Sequence, residues 1–231
     1  MTNEEIQQSG QARKHNIAVR RTARYYTLGE LSANTREIWF AVHGYGQLAE
    51  YFIRHFRPLD DGSRVIVAPE ALSRFYVKEW TRVGASWITK EERESEIAEY
   101  VQYLSDVKAA IWEELQQKGG NPATVRLVGC GFSQGVTTLT RWLIHEKISA
   151  ERLVCWGGDI PRECNLPAHF DALNRMKPLF VIGKEDEFIT PTVLETMLTH
   201  YRSLGLDFEF IPFDGGHVMD AELLHRIVQG W

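Results

Sequence analysis

Two kinds of apolar pattern alternate along this chain. The first is short and continuous. Residues 37–42, 64–68, 124–129, 152–156, 178–182 and 207–212 are apolar-rich runs, and 18–26 is a further strand candidate. Several of these runs lack the in–out alternation of a half-exposed strand, as strands covered on both faces do. The second pattern is helical. Residues 91–117 carry Ile97, Val101, Leu104, Ile111 and Leu115 on one stripe, with acidic residues at the start and Gly119-Gly120 after the end. Thr190-Pro191 opens another helix as a cap followed by proline. Val193, Leu194, Met197, Leu198, Tyr201 and Leu204 form its stripe, and Gly205 ends it. Val136, Leu139, Leu143 and Ile144 mark a helix directly after residue 135, and a last helix spans 220–229. Buried strands alternating with helices predict an α/β fold, with a mostly parallel central sheet of about seven strands flanked by helices.

Residues 1–16 are polar and read as a frayed segment. Residues 17–231 read as one domain, without repeats, low-complexity tracts or linkers. The stretch 70–90 fits neither period and holds Phe75, Tyr76, Trp80, Trp87 and Ile88 among polar residues. Long irregular stretches in compact domains usually serve function. This one reads either as a substrate-pocket wall or lid, or as a crossover anchored by its aromatics.

Composition narrows the classes. The 231 residues are 44% hydrophobic and 25% charged, which suits one sizeable core. Membrane-spanning runs are absent from the sequence, and the first 24 residues lack the apolar core of a signal peptide. The expected location is therefore the cytoplasm. A net charge of −5 argues against nucleic acid as a partner. Cys130, Cys155 and Cys164 are odd in number and without C-x-x-C spacing, which predicts neither a disulfide framework nor a zinc site. Cys130 and Cys155, in apolar runs, read as buried hydrophobes.

The candidate chemistry centres on Gly131-Phe132-Ser133-Gln134-Gly135, where a predicted strand gives way to a helix. A serine between two glycines at such a junction has the form of a nucleophile elbow. The glycines tolerate a sharp turn that lifts the hydroxyl above the sheet. Asp186 and His217 follow later strands, giving the chain order serine, acid, histidine. An imidazole can take the serine proton, and a carboxylate can fix its tautomer. Glu185, Glu187 and Asp214 are rival acids. The amide after the nucleophile, at Gln134, is one expected oxyanion donor. The second is assigned to Tyr45 in Val42-His43-Gly44-Tyr45-Gly46, with Gly46 as its rival and His43 shaping the loop. Phe75, Tyr76, Trp80 and Trp87 are the expected pocket aromatics.

These residues resemble the carboxylesterase and acyl-protein thioesterase branch of the α/β-hydrolases, also called phospholipase/carboxylesterase. The resemblance is carried by His43-Gly44, Gly131-Phe132-Ser133-Gln134-Gly135, Gly157-Gly158-Asp159-Ile160-Pro161, Asp186 and Gly216-His217, spanning about residues 37–220. It implies the α/β-hydrolase fold and hydrolysis of a small-molecule carboxylic ester or thioester through an acyl-serine, with no metal and no cofactor. It implies Ser133, Asp186 and His217 as the triad, with the Tyr45 and Gln134 amides as the oxyanion hole. Trp87 resembles a tryptophan of the family. Two departures bear on the substrate: Val136 stands where the family usually has a second glycine, and Trp87-Ile88-Thr89 replaces a W-F-D-like segment.

Other readings compete. Gly129, Gly131 and Gly135 after a strand resemble a dinucleotide-binding phosphate loop, although the third glycine is off by one and the expected acid is missing. The same triad can also transfer acyl groups to acceptors other than water, and a hydrolase-like fold can serve binding alone.

Overall fold

The computed structural model describes residues 12–161 and 166–231. Its strands are β1 (Tyr25–Leu28), β2 (Glu37–Val42), β3 (Arg64–Pro69), β4 (Ser73–Val77), β5 (Arg82–Ser86), β6 (Arg126–Phe132), β7 (Arg152–Trp156), β8 (Pro178–Gly183) and β9 (Glu209–Phe213). Its helices are α1 (Ala49–Phe52, prolonged by a 3-10 helix Ile53–Leu59), α2 (Arg93–Gln117), α3 (Gln134–His145), α4 (Leu166–Arg175), α5 (Pro191–Leu204) and α6 (Ala221–Gln229).

Seven strands form one sheet in the order β1-β3-β2-β6-β7-β8-β9, all parallel except β1 against β3. Every residue of β2 and β8 is buried, whereas β1 and β9 at the edges are partly exposed. That difference explains the continuous apolar runs of the central strands. The alternation survives as a choice between two cores. Ile38, Phe40 and Val42 of β2 pack with Leu104 and Ile111 of α2 and Trp142 of α3. Trp39 and Ala41 face the other way, toward Phe52, Phe56, and Leu224 and Val228 of α6.

Several expected elements move. The strand expected at 18–26 is β1 at Tyr25–Leu28; only these residues pair with β3, and 18–24 carry three exposed arginines and no regular structure. The strand expected at 124–129 runs three residues further, to Phe132, which brings the serine to its carboxyl end. The strand expected at 207–212 is β9, Glu209–Phe213. Residues 70–90 hold an antiparallel hairpin, β4–β5, which pairs Ser73 with Ser86 and Val77 with Arg82. Cys130 and Cys155 are buried, and burial raises both thiols above their ordinary range. Cys164 lies outside the described residues, as do residues 1–11 of the expected frayed segment. No helix among the described residues is long and apolar enough to cross a membrane.

Candidate active site

Parallel sheets open crevices at the carboxyl ends of their strands, where the strand order reverses. Here β3 lies on one side of β2 and β6 on the other, so the reversal falls between β2 and β6. The Tyr45 loop follows β2 and Ser133 follows β6.

At the end of β6 the backbone turns so sharply that Ser133 adopts φ 53° and ψ −120°. Such a conformation in a residue with a side chain costs about 1–3 kcal/mol and persists where the surroundings enforce it. Two glycines enforce it by close approach. A Cβ on Gly131 would lie 2.6 Å from the Val136 backbone nitrogen, and one on Gly135 would lie 2.0 Å from the Val42 carbonyl oxygen. The glycines that resemble a phosphate loop therefore serve packing: helix and strand backbone fill the space a phosphate would need at Gly131 and Gly135. Val136, the departure after the elbow, is fully buried in α3 and leaves the turn intact.

Asp186 follows β8 and His217 follows β9. His217 Nδ1 lies 2.8 Å from Asp186 Oδ2. Asp186 is 4% exposed, and its Oδ1 accepts the amides of Phe188 and Ile189, each at 2.9 Å. A carboxylate so placed keeps a proton on Nδ1 and leaves Nε2 available as a base. Burial separates Asp186 from its rivals. Glu185 and Glu187 are exposed, and Asp214 is exposed and paired with Lys184 at 2.6 Å. The two loops meet because Gly183 has no side chain; a Cβ there would lie 2.3 Å from the Gly215 carbonyl oxygen.

Trp156 and Phe132, which the sequence reading used only as strand or elbow residues, tie the loops together. The Trp156 carbonyl accepts the Ser133 amide at 2.9 Å, while its indole N–H donates to the Val218 carbonyl at 2.8 Å. Phe132 packs on the His217 ring, with centroids 4.9 Å apart. Gly157 backs the same ring, and a Cβ there would lie 3.2 Å from His217 Cε1. Ser133 Oγ makes no hydrogen bond among the described residues, so the serine–imidazole bond is open in this structure. Catalytic hydrogen bonds in unliganded sites are often long and tighten with substrate.

The amides of Tyr45 and Gln134 donate to no group among the described residues. By contrast the Gly46 amide, the rival donor, is occupied by the Ala85 carbonyl at 2.8 Å. His43 clamps the loop from within. Its Nδ1 donates to the Gly44 carbonyl at 2.8 Å and its Nε2 accepts the Ala71 amide at 3.1 Å. Burial lowers its pKa to about 4, against weaker opposing effects of the Gly44 carbonyl and Glu70. The Gln134 side chain adds a brace: its Oε1 accepts the Trp87 amide and its Nε2 donates to the Ile88 carbonyl, both at 3.0 Å.

The four expected pocket aromatics separate. Trp87 is 3% exposed; its indole N–H donates to the His43 carbonyl at 2.9 Å and its ring packs on His43 and Tyr100. It backs the His43-Gly44-Tyr45 loop from inside the fold, with almost no surface of its own exposed. Phe75 is half-buried and packs on Tyr45, centroids 5.1 Å apart. Tyr76 and Trp80 pair with each other at the exposed hairpin tip, where Trp80 is 78% exposed. A cavity of about 330 Å³ opens between the Gly46-Gln47-Leu48 loop, Tyr51, Phe52 and His55 beside α1, and Arg82 and Val83 of β5. Among the described residues no cluster of metal-ligating side chains occurs.

No known family profile matches the chain, and no curated protein matches its sequence. Solved structures do match. Acyl-protein thioesterase 2 from Zea mays has a TM-score of 0.63 at 15% identity, over 90% of this chain and 99% of that one. A carboxylesterase from Mesorhizobium loti has a TM-score of 0.65 at 18% identity, over 90% and 95%. Esterase PE8 has 0.62 at 21% identity, over 90% and 98%. At these identities the likeness is one of fold, and the fold of this chain is that of the α/β-hydrolases.

Proposed function

We propose that the chain is a serine hydrolase that cleaves carboxylic esters or thioesters through an acyl-serine. Ser133 attacks the acyl carbon while His217 Nε2 takes its proton, and Asp186 stabilises the imidazolium. The Tyr45 and Gln134 amides receive the developing oxyanion. The leaving group departs with the proton from His217. Water, activated by the same imidazole, then releases the acid and restores the serine. The observation that carries this reading is the part-buried Asp186–His217 hydrogen bond together with a serine held at positive φ. The two unoccupied amides support the oxyanion role, and the names of the neighbouring structures support the reaction class. The β4–β5 hairpin walls the site through Phe75 on Tyr45.

Turnover of an activated acetate ester tests the assignment. Ser133→Ala and His217→Gln should each lower kcat by about 10⁵-fold, and Asp186→Asn by about 10⁴-fold, with the circular dichroism spectrum unchanged. Near-normal turnover in any of the three would remove that residue from the triad.

A further inference from the structure

The proposed acyl transfer dictates where the leaving group sits. As the tetrahedral intermediate collapses, the bond between the acyl carbon and the leaving oxygen or sulfur breaks. The proton that His217 took from Ser133 passes from Nε2 to that atom. The leaving group therefore lies against Nε2, within reach of any side chain that covers the imidazole from outside.

Most of what surrounds His217 is already committed. Asp186 takes Nδ1, Gly157 backs the ring, and Phe132 packs from the β6 side. Phe188 is different. It meets the imidazole edge-to-face, with centroids 4.7 Å apart and planes at 63°. The His217 side chain is 11% exposed, whereas Phe188 is 67% exposed. Its ring thus touches the imidazole and still presents most of its own surface to whatever approaches. It is also held in place, because its amide donates to Asp186 Oδ1 at 2.9 Å. A phenyl ring offers no polar donor or acceptor to a small alcohol, but it gains from covering apolar area.

We propose that Phe188 is a specificity-determining residue for the leaving group, favouring esters or thioesters whose alcohol or thiol part is bulky and apolar. The proposal rests on the acyl-serine reading of the site and deepens it. The test holds the acyl group constant and varies the alcohol: ethyl acetate against 2-naphthylmethyl acetate, in wild type, Phe188→Ala and Phe188→Leu. The ratio of kcat/KM, naphthylmethyl over ethyl, should fall about tenfold in Phe188→Ala and much less in Phe188→Leu, which keeps an apolar cover. A ratio within twofold of wild type in Phe188→Ala would overturn the proposal, including when both esters slow in parallel through a misplaced imidazole. Labelling of wild-type Ser133 by a fluorophosphonate separates the two claims. A labelled serine with an unmoved ratio sinks only the role of Phe188, whereas an unlabelled serine sinks the underlying mechanism.

Discussion

His43 shows how a single buried side chain holds the candidate site in shape. Both ring nitrogens are engaged, one with the Gly44 carbonyl and one with the Ala71 amide, in a position with no solvent exposure. That pattern requires the neutral ring, since an N–H on Nε2 would face the Ala71 N–H. With its pKa lowered to about 4 from 6.5, His43 stays neutral in the fold where the unfolded chain protonates. Its contribution to stability is therefore complete above pH 6.5 and is lost as pH falls toward 4, by about 3 kcal/mol over that window. Urea unfolding at a series of pH values should show this loss, and His43→Gln should flatten the wild-type dependence between pH 6.5 and 4. An identical pH dependence in both proteins would contradict the assignment. The residue types of the candidate site were legible in the sequence: Ser133, Asp186 and His217 each follow a strand, in the order serine, acid, histidine, and Tyr45 and Gln134 lie in the turns beside β2 and β6. Among four neighbouring acids the sequence favours Asp186 by its place after a strand, and what sets it apart from Glu185, Glu187 and Asp214 in the structure is burial, which carries no sequence signal. Phe188 and Trp156 escaped for a different reason: each contacts a loop distant in sequence.

At the scale of elements, the candidate site depends on how closely three pairs of segments approach. Gly135 lies against the Val42 carbonyl, Gly84 against the Gly46 carbonyl, where an added Cβ would lie 2.4 Å from the oxygen, and Gly183 against the Gly215 carbonyl. These contacts join α3 to β2, β5 to the Tyr45 loop, and the Asp186 loop to the His217 loop. Gly84→Ala should push the hairpin off the Gly46-Gln47 segment, where the Gly46 amide donates to the Ala85 carbonyl and the Ala85 amide to the Gln47 carbonyl. The expected result is a loss of about 1–3 kcal/mol in stability with slower acylation of Ser133, read by denaturant melts and burst kinetics. Wild-type stability and burst rate would count against the proposed link between hairpin and site. The hairpin itself was illegible from sequence for a definite reason. Its tip, Lys78, Glu79 and Trp80, takes positive φ without glycine or asparagine, so the usual turn signal is missing. The central strands were legible because both faces are buried and the apolar run is unbroken. β1 was misplaced because an edge strand stops where its partner stops, and β3 offers Ile66–Pro69 alone as pairing positions.

At the scale of the whole molecule, the seven-stranded sheet and the six helices among the described residues share the fold of the structures named above, at identities of 15% to 21%. A shared fold does not fix an activity, since one scaffold hosts many reactions. The function is argued from the site, and the proposed reading stands on Ser133 as a nucleophile activated by His217. The measurement closest to that claim is peptide mass mapping after reaction with a fluorophosphonate, timed in wild type and in His217→Gln. A single adduct on Ser133, formed at least about a thousandfold more slowly in His217→Gln, is the result expected of an activated serine. An unmodified Ser133, or a labelling rate indifferent to His217, would contradict it.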